Sequence, residues 1–159
     1  MGVPAGSTRV VLPFALIGTA CVVAGGLLAA VTASAPSQQA SWASAYLVLV
    51  GGVAQIGLGA GQAIFAPRTS ARFLTAQVIG WNGGNAAVLL GTLLGVLPLV
   101  DVGGVLLVVA LALFVHRVRA DAVPRAAGLN RWLLRGYRLL VLIVLVSIPI
   151  GLVLARLRS

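Results

Sequence analysis

The sequence predicts an all-α polytopic transmembrane helix bundle of five spans, a single membrane domain over residues 1–159, and three observations lead there. Hydrophobic residues make up 60% of the 159 and charged ones 8%, against about one-quarter charged in an ordinary globular domain. A soluble fold of this size has too large a surface-to-volume ratio to bury so much apolar side chain. The apolar residues also come in runs long enough to cross a bilayer, and the arginines gather between those runs.

The first run, about 10–32, follows a short polar tail with Arg9. Ala33-Ser34-Ala35 resembles a signal-peptidase site, but the run exceeds a typical signal h-region, so a retained helix is the better reading. Cys21 follows Gly18-Thr19-Ala20, a poor lipidation signal, and as the single cysteine it can form no internal disulfide. An uncharged linker, Ser34 to Ser41, leads to a second helix at about 42–66, which Pro67 ends.

From Phe73 to Val115 runs one apolar stretch of 43 residues broken only by Asp101. Its helical length of about 65 Å is two bilayer cores. It therefore folds as a hairpin, with Gly95 and Pro98 marking the turn and Asp101 as N-cap of the second arm. The third and fourth helices fall at about 73–96 and 101–117. A basic loop of about 116–138 follows, and a final run of 17 residues, 139–155, containing Pro149. That run is just long enough to span if Arg156 and Arg158 snorkel. The alternative is four spans plus a re-entrant or interfacial C-terminal segment. The two apolar hairpins, 10–66 and 73–115, do not align as an inverted repeat.

Orientation follows from charge. All 11 basic residues are Arg, and the acids are Asp101 and Asp121 alone, for a net charge of +9. With the N-terminus inside, Arg9, Arg68, Arg72 and the six arginines of the basic loop are all cytoplasmic, as the positive-inside rule requires. The lack of Lys and the wealth of Ala, Val and Gly resemble coding bias in a GC-rich bacterium. The expected location is a bacterial cytoplasmic membrane. The charges lie beside apolar spans, so anionic lipid headgroups, not nucleic acid, are the expected partner. Arg117, Arg119, Arg125, Arg131, Trp132, Arg135, Tyr137 and Arg138 are the candidate contacts with anionic lipid or with an acidic partner protein. Arg131, Arg135 and Arg138 share one helical face, and Trp132 and Tyr137 suit the headgroup level.

No catalytic, cofactor-binding or metal-binding residues are expected. Metal sites need three or four ligands, and one Cys, one His and two Asp are scattered along the chain. The two acids are predicted on opposite membrane faces, against a paired-carboxylate mechanism. His116 is read as capping a helix C-terminus near headgroups. The Gly-rich stretches lack the strand before them that a phosphate loop needs. Gly57–Gly61 and Gly91–Gly95 instead have the GxxxG spacing of close helix packing.

The most informative feature is a seam of small residues and amides. At 100° per residue, Ser44, Gly51, Gln55, Gly59 and Gln62 fall on one line of the second helix. Gln77, Trp81, Gly84, Val88, Gly91 and Gly95 do so on the third, with Asn85 beside them and Asn82 nearly opposite. The seam is either structural glue between helices or a polar, uncharged pathway. Two functions follow. The first is an accessory or scaffold component of a membrane complex, in contact with other membrane proteins or with itself. The second is a small oligomeric transporter or channel for a neutral solute. A membrane enzyme with a site shared between subunits ranks third.

Overall fold

A computed structural model describes residues 5–120, 132 and 135–146. Most of them are helical, with no strand among them. Helix α1 is Ala5–Val31. The second apolar run is one rod, Gln38–Phe65, built of α2 (Gln38–Tyr46), a π-helical stretch (Leu47–Ala54) and α3 (Gln55–Phe65). Then come α4 (Ala71–Leu94) and α5 (Leu97–Ala120). Residues 135–146 are helical as well.

Among the described residues, three helices are long and apolar enough to cross a membrane: Ser7–Val31, Gln38–Phe65 and Leu97–Val118. At 24 residues α4 has the length, but Gln77, Asn82 and Asn85 lower its apolarity. The expected span at 139–155 is described only to residue 146, and its remainder lies outside the described residues.

The helix ends differ from expectation for identifiable reasons. The rod starts at Gln38, inside the expected linker, because Ser37 caps it: its Oγ accepts from the Ala40 amide at 3.1 Å. Pro13 lies within α1 without ending it. The Asp101 N-cap is overturned. Gly95 adopts the left-handed conformation, φ 70°, and the Val96 amide donates to Gly91 O at 2.8 Å. This closes α4 in the manner of a Schellman motif. With the reversal complete in two residues, α5 begins at Leu97, and Pro98 occupies its first turn, where proline fits. Asp101 is thus a part-buried residue one turn inside α5.

The fold is two helical hairpins side by side, α1 with the Gln38–Phe65 rod and α4 with α5. Glycine decides both pairings. A Cβ on Gly52 would meet Gly18 O at 3.1 Å, and one on Gly25 would meet Ser44 O at 2.8 Å. In the other hairpin a Cβ on Gly103 would sit 2.8 Å from Gly84 O. Backbones therefore touch where side chains would hold them apart, the packing expected in lipid, where apolar side chains gain nothing from leaving the solvent. Between the hairpins lies an aromatic core. Phe14 of α1 and Phe114 of α5 stand 5.2 Å apart, and Trp81 meets Phe114 edge-on at 6.3 Å.

Candidate functional site

The amide seam is where the two hairpins bond. Gln62 and Gln77, both 0% exposed, exchange reciprocal amide hydrogen bonds of 2.9 Å. The second Gln62 amide hydrogen reaches Thr69 Oγ1 at 3.1 Å, and that hydroxyl donates to Ala66 O at 2.8 Å. Gln62 thus spends both amide hydrogens and its carbonyl within the protein, and the short loop before α4 is tied to the pair. Further along, Tyr46 Oη donates to Asn85 Oδ1 at 2.7 Å, and Asn85 Nδ2 donates to Trp81 O at 2.9 Å. The two clasps show that the rod and α4 run antiparallel, since position 62 meets 77 while 46 meets 85.

The glycines of the seam do other work. Gly51 faces Cys21 and Gly59 faces Phe14, so they seat the rod on α1. Gly84 faces Leu107, and Gly91 faces the start of α5 at Val100. The seam is therefore divided: Gln62, Gln77 and Asn85 join the hairpins, and the glycines close each hairpin on itself. Ser44 is buried, but its hydroxyl donates within its own helix, to Ser41 O at 3.1 Å. Gly95 is an exposed turn residue. Asn82, nearly opposite, bonds Val78 O of its own helix at 2.9 Å.

Gln55 stands apart. It is 0% exposed, and neither amide atom has a hydrogen-bond partner. It occupies the first position of α3, where the π-helical stretch ends. Trp81 Nε1 is likewise buried without a partner. Gln55 lies two turns from Gln62 and Trp81 one turn from Gln77, both on the same side of the clasp.

The Gly57–Gly61 motif seats residues 135–146. A Cβ on Gly57 would meet Leu140 Cδ2 at 2.9 Å, and one on Gly61 would collide with the Tyr137 ring. Tyr137 is buried beside Phe65, the last residue of the rod, with centroids 6.0 Å apart. Trp132 is exposed, with the Arg135 guanidinium 5.3 Å above its ring. Arg135 and Arg138 are exposed. Arg117 and Arg119 belong to α5, whose helix continues past the expected start of the loop, while Arg125 and Arg131 lie outside the described residues. His116 stacks on Phe73 at 6.5 Å, and the Arg117 guanidinium lies 5.5 Å from the same ring. These contacts fasten the end of α5 to the start of α4. Among the described residues no group of three His, Cys, Asp or Glu could hold a metal ion.

The sequence reading missed Tyr46 and Thr69 as partners. A usable signal for Tyr46 was present: a Tyr inside an apolar run carries a hydroxyl that needs a partner when buried. Thr69 carried none beyond its place in a short loop. Comparison with protein-family models, curated proteins and solved structures gives no match.

Proposed function

We propose that the chain is a non-enzymatic accessory or scaffold component of a membrane complex, embedded in a bacterial cytoplasmic membrane with its N-terminus inside. The observation that carries this reading is the Gln62–Gln77 pair, whose two amides are wholly buried and bond each other. A pathway for a neutral solute would leave such groups facing a cavity, to be met by water or solute. Here they serve as glue, and interhelical hydrogen bonds of this kind contribute only about 0.6 kcal/mol each on average. The arginines at 9, 68, 72 and 117–138 support the orientation.

One observation favours the second reading, a small oligomeric transporter or channel for a neutral solute. Gln55 has two amide atoms buried and unpartnered, and π-helical segments recur at functional sites. Native purification with identification of co-purifying proteins tests the choice. A stoichiometric membrane-protein partner is the expected result, and a lone homo-oligomer overturns it in favour of the transporter.

A further inference from the structure

The α4–α5 hairpin carries a groove of about 640 Å³ on its exposed side. Gly80 and Ala110 form its floor; a Cβ on Gly80 would lie 3.4 Å from that of Ala110, so the two helices are in contact there. Ile79 and Val109 stand as walls and are well exposed. Arg72, in the first turn of α4, closes one end, and no acidic residue lines the groove. From Arg72 to Gly80 the groove follows about 12 Å of helix, close to the roughly 15 Å depth of hydrocarbon in one leaflet. Arg68 and the Arg117–Phe73 contact add positive charge at the same end.

We infer that this groove seats an acyl chain of one anionic phospholipid, with the headgroup phosphate held at Arg72. The inference rests on the membrane-embedded reading, but not on the accessory role. Arg72 offers a planar fork of donors suited to phosphate. The apolar furrow below it offers contact to a chain entering from the same leaflet. A second copy of this protein fits poorly. Copies in one membrane share an orientation, so a two-fold contact across this face would set both copies of Arg68, Arg72 and Arg117 at one depth, where like charges repel.

The test is native mass spectrometry of the purified full chain with added phosphatidylglycerol or phosphatidylcholine. One phosphatidylglycerol per chain should be retained in preference to phosphatidylcholine. Arg72→Gln should weaken retention about fivefold, the equivalent of one basic residue near a membrane surface, and Arg72→Glu should weaken it further. Ala76→Phe, which fills the groove, should abolish it. Arg9→Gln and Gly26→Leu, away from the groove, should leave it unchanged. Equal retention of phosphatidylcholine, or unchanged retention in the two Arg72 variants, overturns the inference even if Ala76→Phe fails to fold. So does loss of a protein subunit instead of lipid from Ala76→Phe. Retained lipid with no co-purifying protein would leave this inference standing and sink the accessory reading; a protein partner without bound lipid would do the reverse.

Discussion

Gln62 and Gln77 face each other across the junction of the two hairpins and satisfy each other twice, at 2.9 Å in each direction. Replacing Gln77 by Leu strands the Gln62 carbonyl in a buried site, though Thr69 still accepts one of its amide hydrogens. The expected loss is about 0.6 kcal/mol and below roughly 2. Gln62→Leu should cost more, because it also releases Thr69. The double variant should cost less than the two singles together, since it leaves neither amide orphaned. Unfolding in mixed micelles provides the comparison, and strict additivity would mean that the pair is not a unit.

Glycine substitutions should sort by neighbour, not by sequence distance. Gly84→Leu forces a side chain into Gly103 O and Leu107, at 3.0 and 2.9 Å from the first added carbon. It should cost about 1–3 kcal/mol or more. Gly83→Leu, one residue away, meets nothing within 4 Å and should be neutral. Asn82→Leu should be nearly neutral too, since its amide bonds only its own helix. Thermal stability in detergent separates these outcomes, and equal harm from Gly83→Leu and Gly84→Leu would show that the helical phase is wrong.

Gln55 offers a test in the opposite direction. Its amide is buried without partners, a burden of about 1–3 kcal/mol for each unmet group. Gln55→Met keeps the length and removes the polar atoms, so stability should rise. A drop in stability would reveal that the amide is engaged in the native membrane, by water or by a solute.

Topology is accessible through cysteine labelling in a Cys21→Ser background. Gln38→Cys, at the start of the rod, should react with an impermeant reagent from outside the cell. Pro124→Cys should react only after the membrane is opened. External labelling at 124 in intact cells would refute the orientation inferred from the arginines, and a tag after Ser159 would distinguish four spans from five.

Much of this architecture was legible in the chain. Hydropathy located the helices, and Gly95 marked a turn that its left-handed conformation bears out. The seam residues are buried as their phase implied, except that Val88 is part-buried and Gly95 exposed. What a helical phase cannot state is which helix lies opposite. Gly59 and Gln62 sit on one face three residues apart, yet one meets Phe14 of α1 and the other Gln77 of α4. The Asp101 assignment failed because a good capping residue was preferred to the closing power of Gly95 with Pro98 three residues on. The burial of Tyr137 against Gly61 was not legible either, because an amphipathic ring suits a headgroup layer and a glycine cleft equally well.

The π-helical stretch from Leu47 to Ala54 has a consequence for how this chain tolerates insertion and deletion. Its wider coil carries more residues per turn than an α-helix, so it stores surplus chain midway along the rod and sets the angular offset between Tyr46 on one side and Gln62 on the other. Removing one residue within 47–54 would let the coil tighten toward α-helical winding without breaking the rod. Tyr46 and Gln62 lie on opposite sides of the change, so the two clasps would turn relative to each other: with Gln62–Gln77 held by its two hydrogen bonds, Tyr46 would rotate away from Asn85. The rod is in effect an adjustable coupling, and its two clasps can be uncoupled from each other by a change in residue count alone, with no side chain of either clasp altered.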